Sequence, residues 1–459
     1  MVRTSTLVAV LASASTAFAA APSCGLNNKC PSDTPCCSQY GSCGVGAYCL
    51  GGCDPRSSFK LDSCAPAPVC QSKHHTFENL DMVQPNTKYL GDATKADWVS
   101  SGEPISYQNN VLLTMPPDSV GTLLASTTYM WYGNVKAKFK TSRGAGVVTA
   151  FILLSDVKDE IDYEFVGVDL EHAQSNYYFQ GIPDYVNGAN ISLSDTFDNY
   201  HTYEINWTPD IVEWKIDGQV GRTLKKSDTW NATANQWKYP QTPARVQLSL
   251  WPGGLPSNGK GTIDWAGGLV DFDNNVDIKT NGYYYATFES VTMECYNATS
   301  APGTNNGVSY TYNGYAGTND TVVDGKEPTV LGSFQANGEN MDLGKPSGTA
   351  SATKPTSTAE SVPGVSGGDP AGVDTHSSPS SSVAAIDPSS TSTSNSGSGS
   401  TDSGSSDSGS GGFTQGSGDS SSSSSSDTTK SGADKVGQEK VLKGSLFAGI
   451  VAVIAMMAI

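Results

Sequence analysis

One hexapeptide in the middle of this chain, Asp159-Glu160-Ile161-Asp162-Tyr163-Glu164, has the residue types and spacing for acid–base chemistry. Side chains on a strand alternate, so Glu160, Asp162 and Glu164 share one face while Ile161, Tyr163 and Phe165 share the other. The second set can fill a core. Three carboxylates in a row repel one another and are wasteful as structure. In glycoside cleavage they have a use: one carboxylate attacks the anomeric carbon and another protonates the leaving oxygen. Asp162 between them could hydrogen-bond the nucleophile and keep its neighbour's pKa high. Cα atoms four apart on a strand are separated by about 13 Å at ~3.3 Å per residue, whereas a retaining pair needs carboxyls about 5 to 5.5 Å apart. Two glutamates leaning together on a curved strand close much of that gap, and the arithmetic leaves an inverting distance open.

Such residues need a sheet to hold them. Between residues 72 and 300 the runs YGNVKAKFKT (132–141), GVVTAFILL (146–154), EIDYEFVG (160–167), YHTYEINWT (200–208), IVEWKIDG (211–218) and RVQLSLW (245–251) alternate or are β-branched and aromatic. Asp217-Gly218, Pro252-Gly253-Gly254 and Asn258-Gly259 punctuate them as turns. This pattern predicts an all-β sandwich whose concave face offers a long groove, suited to a polymer. His74, His75, His172, His201 and His376 lack metal-ligand spacing, and no phosphate-loop, dinucleotide or G-x-S-x-G motif sits in a suitable context, so no metal and no cofactor is expected.

The 459 residues do not support a core throughout, with 37% apolar and with 49 Gly and 24 Pro. The net charge of -18, from 27 Lys+Arg against 45 Asp+Glu, argues against nucleic acid or an anionic membrane surface as partner. Residues 346–434, rich in Ser, Thr and Gly, read as a disordered stalk that carries nine acids against two lysines. Much of the acidity therefore belongs to a spacer. Residues 1–19 read as a secretory signal ending at Ala17-Phe18-Ala19. Residues 435–459 read as a GPI-attachment tail after the small residues Ser431 and Gly432, so the membrane is expected as a partner through a lipid anchor only. Residues 301–345 form a transition segment. Sequons stand at Asn190, Asn231, Asn297 and Asn319, and a fifth at Asn206 lies in a strand-like run and is the one expected to go unused.

Nine of the ten cysteines, Cys24, Cys30, Cys36, Cys37, Cys43, Cys49, Cys53, Cys64 and Cys70, crowd into residues 24–70, and Cys295 stands alone far downstream. That density suits a disulfide scaffold in an oxidising compartment. The adjacent pair Cys36-Cys37, then S-Q-Y-G-x-C-G and Y-C, resembles hevein-like chitin-binding modules. The resemblance implies the pairs Cys24–Cys37, Cys30–Cys43 and Cys36–Cys49, leaving Cys53 to join Cys64 or Cys70. It also implies Ser38, Tyr40 and Tyr48 as an N-acetylglucosamine platform, with Ser42 standing where many members carry an aromatic.

The central motif E-[aliphatic]-D-x-E resembles glycoside hydrolase family 16, and the likeness covers most of 125–275. It implies a jelly-roll sandwich, a retaining mechanism, Glu160 as nucleophile, Asp162 as assistant and Glu164 as acid/base. Tyr132, Gln174, Asn176, Tyr178, Trp251 and Trp265 would bind substrate. STTYMWYG, SLWPGG and GTIDWAGG look most like the fungal Crh cell-wall transglycosylases, which implies chitin and β-glucan as partners of a monomeric enzyme. A purely hydrolytic β-glucanase or chitinase, and a non-catalytic wall-binding protein, are the competing readings.

Overall fold

The computed structural model describes residues 21–182 and 185–345. The expected signal, stalk, Ser431, Gly432 and anchor tail lie outside these residues.

The alternating runs form a sandwich of two eight-stranded sheets. Its strands begin with β1 (Lys73–Thr76), β2 (Val83–Pro85), β3 (Trp98–Ser101), β4 (Pro104–Tyr107), β5 (Asn110–Met115) and β6 (Thr122–Ser126). The middle strands are β7 (Gly133–Lys140), β8 (Val147–Ser155), β9 (Glu160–Val166), β10 (His172–Tyr178) and β11 (Ala189–Ser192). The last are β12 (His201–Trp207), β13 (Ile211–Ile216), β14 (Gln219–Lys225), β15 (Ala244–Pro252) and β16 (Tyr284–Cys295). One sheet runs β11-β10-β9-β8-β15-β6-β3-β2, antiparallel except for β2–β3. The other runs β14-β13-β12-β7-β16-β5-β4, with β1 also paired to β16. Two short helices, α1 (Lys260–Trp265) and α2 (Val276–Asn281), follow β15.

Period-two alternation decides which side chains meet between the sheets. Ile161, Tyr163 and Phe165 of β9 join Phe151 of β8 and, from the facing sheet, Phe139, Tyr203 and Phe288. Phe139 stacks on Phe288 at 4.5 Å and meets Phe165 edge-on at 5.5 Å. Such ring pairs contribute about 0.5–1.5 kcal/mol each beyond the area they bury. The carboxylate face of β9 therefore points away from this core.

The cysteine-rich segment is bridged as Cys24–Cys37, Cys30–Cys43, Cys36–Cys49 and Cys53–Cys64, and Cys70 pairs with Cys295. Cys295 is thus not alone. It ends β16 and ties that strand to the segment leading into β1. The expected boundary at residue 300 also disappears: Ser309–Tyr312 pairs with Val322–Gly325 and with Ala67–Pro68, while Leu331 and Ala336 pack on Cys36, Tyr48, Cys49 and Cys53. Residues 24–53 are too few for a hydrophobic core of their own, and the segment after the sandwich supplies one.

Candidate active site

Antiparallel register places three rows of side chains across the outer face of the first sheet. Glu160 stands opposite Tyr178, Asp162 opposite Asn176 and Glu164 opposite Gln174 on β10. On the other flank the same rows continue as Leu154–Arg245, Ile152–Gln247 and Ala150–Ser249 of β8 and β15. Sequence reasoning and structure agree on bringing Gln174, Asn176 and Tyr178 beside the three carboxyls. Asn176 donates to the Tyr178 hydroxyl at 2.7 Å and accepts from the Tyr177 amide at 2.9 Å, so its amide is oriented. Trp265 donates from Nε1 to Gln174 Oε1 at 2.8 Å and stacks with Trp251 at 6.1 Å. Trp265 is half-buried, whereas Trp251 is 1% exposed and its indole N–H has no partner. The accessible ring at this end is therefore Trp265.

Tyr132 is elsewhere. Its ring packs edge-on against Trp207 at 4.7 Å in the core between the sheets, so the expectation that it lines the groove is corrected. Its neighbour Trp131 and Trp207 donate to the carbonyls of Gln241 and Pro240, fastening the chain that enters β15. Trp214 serves the site from beneath, donating to the Asp162 carbonyl at 2.9 Å.

The carboxyls themselves are buried: Asp162 is 0% exposed and both its oxygens lack a partner at ordinary hydrogen-bond geometry. Burial pushes Glu160 up to about 7, opposed by the neighbouring Asp162 side chain and by the positive charge of Lys158. Burial, then the charges of Glu160 and Glu164, holds Asp162 far above the usual carboxylate range. Burial, then Glu160, does the same for Glu164. Glu160 is the carboxyl whose rise is opposed both by a neighbouring side chain and by a cation. It is the group of the three best suited to be an anion, and Glu164 the one best suited to hold a proton.

Sequence reasoning passed over the turn that launches β9. Asp159 accepts from the amides of Gln180, Gln241 and Thr242 and from the Thr242 hydroxyl, all at 2.7–3.1 Å. This staples β9 to the start of β15. Lys158 sits in the left-handed region at φ 65 and is half-buried, with its charge acting on Glu160. The available signal was Asp159 itself, an acid adjoining the motif whose side chain falls on the opposite face from Glu160.

The platform residues of the small module do not face solvent. Ser38, Tyr40 and Tyr48 are 2%, 4% and 7% exposed, which corrects their placement on an open sugar-binding surface. Tyr40 packs on Leu123 and Val120 of the sandwich, and Tyr48 packs on Leu331 and Ala336. The disulfide network also uses Cys24, Cys30 and Cys43, the one cluster of metal-ligand atoms among the described residues.

This fold, with three carboxyls on one face of a single strand opposite Tyr178, Asn176 and Gln174, defines a glycosidase-type enzyme, and residues 92–267 match the sequence profile of glycosyl hydrolases family 16. The chain belongs to that family, in its Crh-like branch. It is 68% identical over 345 residues to Crh-like protein 3 of Botryotinia fuckeliana, covering 75% of this chain and 77% of that one. Crh-like protein 2 of Aspergillus fumigatus is 54% identical over 370 residues, 79% of this chain and 83% of its own. A solved structure, an apo Crh5 transglycosylase, aligns at 30% identity over 59% of this chain and all of its own, with a TM-score of 0.47.

Proposed function

We propose that this protein is a secreted cell-wall transglycosylase that cleaves a chitin-type β-1,4-glycan with retention and transfers the fragment to β-glucan. The observation that carries this reading is the outward row Glu160-Asp162-Glu164, buried and opposed by Tyr178, Asn176 and Gln174. Ionised Glu160 attacks the anomeric carbon as Glu164 gives its proton to the leaving oxygen, forming a glycosyl ester. Asp162, between the two glutamates, would keep its proton and temper the charge of Glu160 until the substrate arrives. Glu164, now ionised, takes the proton of the incoming hydroxyl, and that oxygen displaces Glu160.

Sugar and water compete for this step. Water is present at about 55 M, but orientation supplies effective molarities of ~10⁵ M or more, so a sugar held in place prevails. Trp265, ordered by its bond to Gln174, offers a ring for such an acceptor. The glycan chains the protein would meet are outside the membrane, where a secretion signal, a Ser-rich stalk and a lipid anchor would hold it. The exposed sequons at Asn190 and Asn297 are open to glycans, and those at Asn231 and Asn319 are half-buried. Asn206 is engaged by Glu213 and Tyr296, which fits an unused site.

The decisive measurement is incubation of the protein with chitin oligomers and a fluorescent glucan oligomer. Larger labelled products are expected. If only reducing ends appear, with no hybrid at high acceptor concentration, the enzyme is a hydrolase instead.

A further inference from the structure

Glu160 and Glu164 stand four residues apart along β9, and each must reach the scissile bond from its own side. The glycan therefore crosses β9 at Asp162 and runs across the strands. In one direction it passes over Asn176 of β10 toward β11. In the other it passes over Ile152 of β8 and reaches Gln247 of β15, two strand spacings or about 10 Å away.

There the disulfide module lies over the sheet, with a cavity between the two lined by Gln39, Tyr40, Leu123, Ala125 and Arg245. Gln39 of the disulfide module lies on this face, its Oε1 accepting from Gln247 Nε2 at 3.2 Å and from Arg245 Nη2 at 2.8 Å. Its backbone carbonyl accepts from Lys158 Nζ at 3.4 Å. The next residue, Tyr40, packs on Leu123 of β6 at the wall of that cavity. The module is held here by more than one point: the Gly52 amide donates to Asp156 at 2.9 Å, and Arg56 donates to the Val157 carbonyl at 2.8 Å. Gly51 and Gly52 leave room for the Arg245 guanidinium, which an added Cβ at Gly51 would meet at 2.2 Å.

We propose that the disulfide module makes the groove blind on the β15 side, with Gln39 as the specificity-determining residue that meets the end of the glycan. The enzyme then cuts β-linked glucan or N-acetylglucosamine chains at a set distance from one chain end. This rests on Glu160 and Glu164 as the cleaving pair.

The test uses the full secreted protein with reducing-end-labelled chitin and β-glucan oligosaccharides of increasing length, with products sized by mass spectrometry. In the wild type the fragment on one side of the cut keeps a constant length as the substrate lengthens. Gln39→Ala, with its melting temperature checked, spreads the cuts into the chain interior and raises the share of interior products several-fold. Gln39→Asn, which keeps the amide on a shorter side chain, lengthens the constant fragment and serves if the alanine variant does not fold. Transfer with cuts scattered along the chain in the wild type, or an identical pattern in both folded variants, overturns the blind groove alone. Turnover of no β-glycan at any length overturns the carboxylate assignment and this proposal with it.

Discussion

Five acids lie between Asp156 and Glu164, all buried, and they fall into two groups by the company they keep. Asp156 accepts from the Tyr129 hydroxyl at 2.6 Å and the Gly52 amide at 2.9 Å, and Asp159 accepts four donors. On β9, by contrast, Asp162 has no partner at ordinary geometry, and Glu160 and Glu164 flank it on the same face. Burial raises all five, but donors limit the rise to about 6 for Asp156 and Asp159. Equal burial therefore serves opposite ends. The turn uses charge-assisted hydrogen bonds to build structure, whereas Asp162 on the strand goes without them, the pattern expected where a carboxyl is kept for chemistry.

The contrast can be broken most directly at Glu160. Glu160→Gln is expected to lower transglycosylation by at least ~10³-fold, about 4 kcal/mol of transition-state stabilisation, while leaving the melting temperature unchanged or higher. Glu164→Gln should retain activity only on donors whose leaving group needs no proton, measured with an activated aryl glycoside. Substantial turnover of natural glycan by Glu160→Gln would end the assignment.

Asp159→Ala should show the reverse pattern. Removing an acceptor shared by buried backbone amides is expected to cost about 3–5 kcal/mol in urea unfolding. Activity per folded molecule, assayed well below the unfolding midpoint, should fall far less than in Glu160→Gln.

A third experiment turns on pH. Asp156 and Asp159 are raised from 3.8 to about 6 in the folded state, so from about pH 4 to 6 the native protein keeps protons that the unfolded chain loses. Stability therefore falls as pH rises through that window, and Glu160 extends the fall toward pH 7. Asp156→Asn removes one of these contributions, on the order of 3 kcal/mol at ~1.4 kcal/mol per pKa unit. Its urea midpoint should vary less between pH 4 and 6 than that of the wild type, and an unchanged slope would count against the buried carboxyl at the module seam.

The smallest effect is expected at Lys158. Its charge favours ionised Glu160, so Lys158→Met should move the acidic limb of the activity profile to higher pH, by about one unit or less. A limb that stays in place would mean that Lys158 serves only to hold Gln39.

Much of the carboxyl-bearing strand is legible in its residues alone. Alternation along EIDYEFV separates core from groove, and Gln174, Asn176 and Tyr178 share its register because β10 pairs with β9 antiparallel. The six strand runs reappear within a residue or two, since β-branched and aromatic side chains on a two-residue period have few other ways to bury one face. Tyr132 was misplaced for a local reason. It takes φ 71 just before β7, a left-handed conformation outside the strand, so alternation counted from β7 does not set where its ring goes. Asp159 and Lys158 escaped notice because their roles depend on Thr242 and Gln39, residues far off in the chain.

The sequence by itself determined the crowding of cysteines that become disulfides, the strand pattern and the alignment of Glu160, Asp162 and Glu164 on one face, because each is encoded within a few neighbouring residues. Tertiary structure alone decided that Cys295 closes onto Cys70, that residues 301–345 complete the small module's core, and that Tyr40 and Tyr48 face inward. The last two share a physical reason. A thirty-residue disulfide module has too little apolar surface to stand alone, so it takes its remaining core from whatever lies beside it, and local spacing carries no record of that neighbour.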